Sequence, residues 1–393
     1  MGLKIGIVIQ QAVYSRLYGG QHQLTGVGWY VVNLVRALAQ ADTPNHFKLI
    51  YASPSNHDAY ARSLLGLEGR PDFELVRLPL PVPLTYASWH FLGLPRVEWV
   101  AGGLDVLHVP SIAVRTPSRC AQVVTVHDVT HWAFPEVYSR RARMFADYTL
   151  ARARASQSLV IVPCRHVAQE LTRLGFREEG VRCTYYCGSL GPSGTTDSDP
   201  TAALAALGVV RPYILFVGAS TKRKNLPTLV AAYSRLPKDI RDRHQLVLAG
   251  PRADDSEAVA SAIENADLRS RVLVTGYLSD ENLRMLHQNA ALFVMPSLSE
   301  GFGIPVVDSM QLGVPVAVSD AGSLAEIVGE AGLLFDPRSP DSIAQAMTRG
   351  LTDAKLREAL VARGMVAASG FSCEKTARET LAVYEEAAAR GRP

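Results

Sequence analysis

Cysteine is scarce in this chain of 393 residues, which contains only Cys120, Cys164, Cys183, Cys187 and Cys373. Five cysteines so far apart are too few for a disulfide framework, and no second pair with zinc spacing follows Cys183 and Cys187. We interpret all five as buried or incidental thiols. A reduced, cytoplasmic protein fits this cysteine usage best.

Long hydrophobic runs and strong net charge are also lacking. No stretch approaches the ~18 consecutive apolar residues of a membrane-spanning helix, and the run after Lys4 is too short for a signal peptide. The net charge of +3 argues against nucleic-acid binding through overall charge. Neither half has Gly-x-Gly-x-x-Gly after its first strand, which argues against a dehydrogenase. The hydrophobic fraction of 48% is typical of a soluble enzyme, and the length predicts two domains.

Short apolar runs alternate with helical patterns in both halves, which predicts βαβ units and parallel sheets. The strands predicted in the first half are 4–9, 47–52, 73–78, 106–109, 123–126 and 158–162, with a helix at 28–40. Those in the second half are 213–218, 245–249, 272–275, 291–295 and 315–318. The segment 188–200, rich in Gly, Ser, Thr and Pro, predicts a linker between the halves. We expect an α/β fold with two Rossmann-like doubly wound domains facing a central cleft.

The most informative stretch is residues 299–310, Ser-Glu-Gly-Phe-Gly-Ile-Pro-Val-Val-Asp-Ser-Met. Pro305 suits the first position of a helix, which puts Glu300 on the preceding loop and Asp308 one turn inside. The backbone N–H groups near Gly301 and Gly303 then point above the helix start, at the positive end of its dipole. This is an anion site flanked by two carboxylates that can accept hydrogen bonds from hydroxyls. Such a site can hold a sugar joined to a nucleotide.

Further candidates follow predicted strands. Arg223 and Lys224 come after the first strand of the second half, and two cations just before a helix suit a diphosphate. His127 follows the strand 123–126, and a neutral imidazole can both donate and accept a hydrogen bond beside a reacting carbon. Asp128 could anchor that imidazole or bond an acceptor, and both roles are open.

Residues 299–310 resemble the Glu-x7-Glu motif of the family 4 retaining glycosyltransferases, which have the two-domain GT-B fold. Residues 312–328 resemble that family too, and the likeness covers nearly the whole chain. Asp308 departs from the motif, which has Glu there, and its side chain is shorter by about 1.5 Å. The predicted domains are an N-terminal acceptor domain at 1–190, a linker at 191–211, a nucleotide-sugar donor domain at 212–370, and a helix at 371–393 that crosses back toward the N-terminal domain.

The resemblance implies roles for individual residues. Arg223 and Lys224, similar to the family's Arg-Lys-Asn segment, would bind the donor diphosphate, and His127, similar to its His-Asp element, would contact the transferred sugar. The candidates are His127, Glu300, Arg223 and Lys224 as catalytic residues, Gly301, Phe302, Gly303, Asp308, Tyr277 and Leu278 as donor-binding residues, and Gly26, Gly28 and Asp128 on the acceptor side. For Gly26 and Gly28 a simple helix-entry turn is an equal alternative.

These features predict a retaining glycosyltransferase that moves a hexose from a nucleoside diphosphate sugar to a glycan or lipid-linked acceptor in polysaccharide or glycolipid synthesis. Within the family, the His-Asp element and the Arg-Lys-Asn segment together most resemble the mannosyltransferases of surface polysaccharide synthesis. This resemblance favours GDP-mannose as the donor. We expect no cofactor and no metal, because cations and amides take the diphosphate. The Asp-Ser-Asp sequence at 197–199 could suggest a metal-bound diphosphate. We reject that interpretation because the sequence lies in the linker with no strand before it. A sugar-nucleotide 2-epimerase and a non-catalytic nucleotide-sugar-binding protein are the alternatives.

Two stretches bear on the acceptor. Residues 81–92 are rich in aromatic side chains, and five arginines crowd one predicted helix: Arg140, Arg141, Arg143, Arg152 and Arg154. One interpretation is an apolar rim and a basic face for a lipid-linked acceptor, with peripheral contact at the inner membrane face. The other is a core segment beside a solvated helix face.

On this interpretation, a substitution at Glu300 affects catalysis and stability to different extents. Alanine there should lower turnover far more than stability, because a loop carboxylate contributes little to packing.

Overall fold

The computed structural model describes residues 2–13, 16–18, 21–113, 116–156, 158–190 and 200–391. The chain divides into two compact units, Met1–Cys187 with Ser372–Pro393, and Gly188–Phe371. Residues 191–199 of the predicted linker, including Asp197 and Asp199, lie outside the described residues.

The first unit is a parallel sheet with flanking helices. Its strands are β1 Lys4–Val8, β2 Arg16–Tyr18, β3 Gln21–Gln23, β4 His46–Ala52, β5 Phe73–Leu78, β6 Val106–Val109, β7 Ala121–Thr125, β8 Leu159–Val162 and β9 Val181–Cys183. Seven of them pair in parallel in the order β5-β4-β1-β6-β7-β8-β9, and β2 pairs with β3 in a separate antiparallel ribbon. Since β8 is buried along its whole length, it is a continuous apolar run rather than an alternating one.

Eight α-helices precede the last helix in the described part of this unit. In chain order they are α1 Gln10–Val13, α2 Gly26–Gln40, α3 Asp58–Leu65, α4 Val82–Ala87, α5 Glu98–Ala101, α6 Thr130–Ala133, α7 Arg140–Ala155 and α8 Arg165–Arg173. A π-helical turn, Ser88–Leu92, follows α4. Thr25 caps α2 by accepting a hydrogen bond from the backbone N–H of Gly28 at 3.2 Å, so the helix begins two residues before the predicted start.

The second unit repeats the same plan. Its strands are β10 Tyr213–Val217, β11 Gln245–Ala249, β12 Val272–Gly276, β13 Leu292–Met295, β14 Val316–Ser319 and β15 Gly332–Phe335. Its helices are α9 Pro200–Ala206, α10 Leu226–Ser234, α11 Lys238–Arg243, α12 Ser256–Asn265, α13 Asp280–Asn289, α14 Ile304–Gln311, α15 Leu324–Val328, α16 Pro340–Thr352 and α17 Ala354–Ser369. All six strands are parallel, in the order β12-β11-β10-β13-β14-β15. The strand order therefore reverses between β10 and β13, which is where such sheets bind ligands.

The predicted strands are confirmed with end shifts of one or two residues. Two strands of the parallel sheets were not predicted. β9 has only three residues and includes Arg182, and β15 starts at Gly332. Each is an edge strand whose short apolar pattern is too weak to stand out.

The last helix, α18 Cys373–Arg390, belongs to the first unit. It buries Val383, Tyr384 and Ala387, and Arg182 donates to Glu386 at 2.8 and 2.5 Å. Its first residue forms a disulfide with Cys187, 186 residues earlier. Our interpretation of all five cysteines as thiols is therefore wrong for this pair, because the two sulfurs meet only through the tertiary fold.

Candidate functional site

Two loops meet at the point where the strand order of the second unit reverses. One follows β10 and the other follows β13, and these two strands are paired neighbours. The backbone N–H of Leu298 donates to the carbonyl oxygen of Arg223 at 2.9 Å, and the Asn225 side chain donates to the carbonyl oxygen of Pro296 at 3.2 Å. The two segments that sequence patterns singled out separately, 218–226 and 299–310, therefore form one site.

Glu300 lies at the centre of this site with a cation on each oxygen. Arg223 Nη1 is 2.6 Å from Oε2, and Lys224 Nζ is 2.6 Å from Oε1. The same Arg223 nitrogen donates to the carbonyl oxygen of Ser299 at 2.7 Å. The structure thus brings three of the four predicted catalytic residues together in an ion cluster.

The ion cluster is shielded from solvent. Glu300 is 7% exposed, and Ser323 Oγ donates to its carbonyl oxygen at 2.8 Å. Burial would raise the pKa of Glu300, but the charges of Arg223 and Lys224 outweigh burial and hold the pKa at about 2. The premise that a loop carboxylate here contributes little to stability is wrong, since removing it would leave two cations without their counter-charge. Ser323 lies in the family-like run 312–328, but our sequence analysis gave it no role.

Asn225 joins this site to a third loop. Its backbone has a φ of 58°, in the left-handed region that asparagine tolerates better than most residues. Its side chain donates to the carbonyl oxygen of Pro337 at 2.7 Å and accepts from Thr228 at 2.6 Å. Asn225 therefore positions the basic loop. Only its place after three basic residues could have suggested this role.

The glycine-rich entry to α14 is tightly packed. Gly303 has a φ of 96°, and a Cβ there would lie 2.5 Å from Leu324 Cδ2, so only glycine fits. Phe302 is buried and meets Phe371 edge to face at 5.6 Å between ring centroids. Pro305 is the second helical residue rather than the first, because α14 begins at Ile304.

Asp308 has different partners from Glu300. Its Oδ1 accepts from the backbone N–H groups of Ser189 and Leu190 at 2.7 and 3.1 Å, and its Oδ2 accepts from Ser189 Oγ at 2.7 Å. Burial raises the pKa of Asp308 to about 6 against these hydrogen bonds. The carboxylate holds the segment that enters the second unit, and its contact with a ribose remains a prediction.

In the first unit, His127 follows β7 as predicted and is half-buried. Its Nε2 lies 2.8 Å from the carbonyl oxygen of Pro110, and its Nδ1 lies 2.7 Å from the Tyr186 hydroxyl. Asp128 instead accepts from the backbone N–H and hydroxyl of Thr130 at 3.0 and 2.6 Å. Of the two roles left open for Asp128, anchoring the imidazole is therefore wrong in this structure.

The remaining candidates lie on helix and strand ends. Gly26 and Gly28 form the first turn of α2, where a Cβ on Gly28 would meet the Gln11 carbonyl oxygen at 2.8 Å and one on Gly26 would meet nothing within 4 Å. Tyr277 and Leu278 are half-buried after β12, at the carboxyl edge of the second sheet. Within the described ranges, no three His, Cys, Asp or Glu side chains gather as a metal ion would require.

The aromatic segment 81–92 is part core and part surface. Trp89 is buried in an apolar cluster with Val97 and Leu107, whereas Leu84, Phe91 and Leu92 are 61%, 71% and 72% exposed. The interpretation of this segment as core alone is therefore wrong. None of the helices in the described part of the chain is long and apolar enough to cross a bilayer.

The basic helix lies beside this segment. The ring of His90 packs against Phe145 and Tyr148 of α7 at 4.3 and 4.6 Å between centroids. Four of the five arginines are exposed, and Arg143 is half-buried. The helix that carries the arginines thus packs against the segment that carries the exposed apolar residues.

Known proteins share both units. A Glycosyltransferase Family 4 model matches residues 24–186, and a model for Glycosyl transferases group 1 matches residues 207–365. O-antigen chain mannosyltransferase B of Escherichia coli is 28% identical over 382 residues, 93% of this chain and 97% of that protein. Serotype-specific mannosyltransferase WbdA of Escherichia coli is 34% identical over 167 residues, which cover 42% of this chain and 20% of that protein.

Solved structures share the fold. The crystal structure of Anabaena HepE in complex with UDP and glucose matches with a TM-score of 0.73 at 18% identity, covering 98% of this chain and 100% of that one. The prediction of two Rossmann-like α/β domains of the GT-B type is confirmed. The chain therefore belongs to the glycosyltransferases, with a Glycosyltransferase Family 4 domain in its first unit and a Glycosyl transferases group 1 domain in its second.

Proposed function

We propose that this protein transfers mannose from a nucleoside diphosphate sugar, GDP-mannose, to a hydroxyl of a surface-polysaccharide acceptor, with retention at the anomeric carbon and without a metal. The second unit is the donor domain and the first is the acceptor domain. The similarity to an O-antigen chain mannosyltransferase and to a serotype-specific mannosyltransferase supports the sugar, and the first of these relatives supports the acceptor class. The ion cluster of Arg223, Lys224 and Glu300 carries the proposal.

The ion cluster suits a diphosphate bound to a sugar. Arg223 and Lys224 are two cations fixed at a strand-order reversal, beside a helix start whose cap residue, Gly303, has no side chain. Their charge would stabilise the nucleoside diphosphate as its bond to the sugar breaks. Because Glu300 already holds both cations in place, the donor meets a prearranged site rather than mobile side chains.

The carboxylates support a front-face mechanism, in which the acceptor attacks on the side from which the leaving group departs. Glu300 is a poor nucleophile because two cations hold its pKa at about 2. Asp308 is 2% exposed, with three donors on its oxygens. By resemblance, the leaving diphosphate oxygen helps to take the acceptor proton. A covalent sugar trapped on Glu300 or Asp308 during turnover would contradict this mechanism.

Donor binding tests the proposed function directly. GDP-mannose should raise the thermal unfolding midpoint of the protein more than UDP-glucose or ADP-glucose, because a ligand that binds the folded state stabilises it. Arg223→Ala should weaken GDP binding at least tenfold by calorimetry, because one charge-assisted contact to phosphate is lost. Arg269→Ala, an exposed arginine of the same unit, is the matched control and should bind GDP normally.

Product analysis separates the alternatives. Incubation with the donor alone should leave it intact, and addition of a mannose-terminated oligosaccharide should release GDP and yield an α-linked product by NMR. Conversion of a UDP-sugar with no acceptor would identify a 2-epimerase. Tight donor binding without release of nucleoside diphosphate to any acceptor would identify a non-catalytic binder. EDTA should leave the transfer rate unchanged.

We further propose that the first unit contacts an anionic membrane surface, with a lipid-linked acceptor. Leu84, Phe91 and Leu92 offer exposed apolar side chains, and Arg140 and Arg141 on the adjoining α7 are exposed cations. Apolar residues flanked by arginines match the acyl boundary and the phosphate layer of a bilayer. The charge of the helix favours a membrane over an apolar protein partner.

Vesicle co-sedimentation tests this contact. The protein should bind phosphatidylglycerol vesicles at low salt, bind phosphatidylcholine vesicles weakly, and dissociate as salt rises. Replacing Phe91 and Leu92 with serine should reduce binding at least fivefold. Val366→Ser removes an equally exposed apolar side chain, 75% exposed, from the second unit and should bind normally. Equal binding by all three proteins, or none by any, would overturn the proposed contact.

A further inference from the structure

The ring of His127 is held on both nitrogens by the protein itself. Nε2 faces the carbonyl oxygen of Pro110 at 2.8 Å, and Nδ1 faces the hydroxyl of Tyr186 at 2.7 Å. A carbonyl oxygen can only accept, so Nε2 carries the proton and Nδ1 accepts from the Tyr186 O–H. The two partners therefore select one of the two neutral tautomers.

The protonation states agree with this assignment. Burial lowers the pKa of His127, although the Pro110 hydrogen bond and the charge of Asp128 oppose the shift. Burial also raises the pKa of the Tyr186 phenol well above its ordinary value. Near neutral pH the phenol is therefore a hydrogen-bond donor and the imidazole a neutral acceptor at Nδ1.

Tyr186 is well placed to hold a ring still. It is 5% exposed, and its own ring packs on Tyr30 at 4.4 Å between centroids. The residues on either side are attached to α18: Thr376 Oγ1 donates to the Tyr185 carbonyl oxygen at 2.7 Å, and Cys187 is bonded to Cys373. The Tyr186 hydroxyl thus extends from a segment secured on both sides.

A buried chain of polar side chains adjoins the His127 ring through Tyr30. His108 lies 2.7 Å from the Tyr384 hydroxyl and 2.7 Å from Thr125 Oγ1, which is 3.3 Å from the Tyr30 hydroxyl. Burial lowers the pKa of His108 to about 3, so this chain is uncharged. The edge of Tyr30 meets the His127 ring at 5.1 Å. These contacts link α2, β6, β7 and α18 around His127.

We propose that Tyr186 is the positioning residue of His127, and that its hydroxyl holds the imidazole in the Nε2–H tautomer and in the orientation that sugar transfer requires. The effect of Tyr186 on the transfer rate rests on the proposed function, whereas its effect on the tautomer and orientation of the His127 ring does not. A substrate hydroxyl that bonds the ring must displace Tyr186 from Nδ1 or Pro110 from Nε2. Exchange at Nε2 leaves the Tyr186 hydrogen bond intact, so the ring stays oriented while it bonds a substrate hydroxyl.

Tyr186→Phe tests the proposal, because it keeps the ring that packs on Tyr30 and removes only the hydroxyl. We expect the ¹⁵N signal of His127 Nδ1, assigned by its loss in His127→Gln, to move toward the value of a nitrogen that accepts no hydrogen bond. We expect kcat to fall about tenfold with donor KM within twofold, because misplacing an orienting group affects the reacting geometry more than binding. The Nδ1 signal reports the hydrogen bond in a way that a general loss of stability would not.

Tyr51→Phe is the matched control, since it removes another buried tyrosine hydroxyl of the same unit, one that donates to Asp58 at 2.7 Å. It should change neither the His127 signals nor kcat. An unchanged Nδ1 signal in Tyr186→Phe would overturn the proposal whether or not the protein transfers sugar. A moved signal with kcat unchanged in an active enzyme would overturn it too. Absence of transfer in the wild type would instead contradict the proposed function, while the Nδ1 signal would still decide the role of Tyr186.

Discussion

Replacing Glu300 with glutamine is expected to lower the free energy of unfolding by about 3 kcal/mol at pH 7 and the transfer rate by about 100-fold. Glutamine keeps the volume of the side chain but leaves Arg223 and Lys224 without the carboxylate that each contacts at 2.6 Å. Urea unfolding and initial-rate assays of the two proteins measure these effects. Glu257→Gln, on the exposed first turn of α12, is the control and should stay within about 0.5 kcal/mol of the wild type.

The stability loss at Glu300 should depend on pH. The pKa of Glu300 is lowered from 4.5 to about 2 in the folded protein, so its contribution is complete above 4.5 and is lost as the pH falls toward 2. The difference between wild type and Glu300→Gln should therefore shrink by about 1.4 kcal/mol by pH 3.5. Asp308 titrates in both proteins, so its opposite contribution cancels. A difference that is the same at pH 7 and pH 3.5 would show that the ion cluster does not hold the carboxylate ionised.

Replacing Cys187 with serine is expected to lower the free energy of unfolding by about 2–5 kcal/mol under oxidising conditions. The disulfide with Cys373 closes a loop across a sequence separation of 186 residues, and long loops restrict the unfolded chain most. Urea unfolding with and without dithiothreitol measures the effect. The wild type in reductant should match Cys187→Ser, and the variant should be insensitive to reductant.

Cys183→Ser is the matched control, because Cys183 lies four residues earlier and is not half of this disulfide. Its stability should still respond to reductant as the wild type does. Peptide mapping without reduction should recover a peptide containing Cys187 joined to one containing Cys373. Titration of five thiols in the unfolded, unreduced protein would show that the disulfide does not form.

Local patterns accounted for most of the fold. Runs such as Tyr213–Val217 and residues 246–249 are continuously apolar because both faces of a parallel sheet are covered, so each strand could be recognised without its neighbours. Edge strands such as β9 lack that signal. Site residues also follow strand ends, which is why Arg223, Lys224 and Glu300 could be selected before their contacts were visible.

The partners of those residues could not be read from sequence spacing. Glu300 and Asp308 belong to one motif, yet the first is bound by Lys224, 76 residues away, and the second by the Ser189 side chain, 119 residues away. The burial of Glu300 reversed our expectation for its effect on stability. The apolar and aromatic segment at 81–92 was divided between core and surface by tertiary packing, which buries Trp89 and packs Val82 and Tyr86 against the same cluster.

The sequence by itself determined the two parallel-sheet units, the glycine-rich entry to α14 and the identity of the charged residues near it, because these depend on propensity and periodicity among neighbours in the chain. Only the tertiary structure decided that Glu300 pairs with both cations, that Cys187 bonds Cys373 and that Tyr186 selects the tautomer of His127. Hydrogen bonds, ion pairs and disulfides act over a few ångströms and between residues at any separation along the chain. Their partners are therefore chosen by packing.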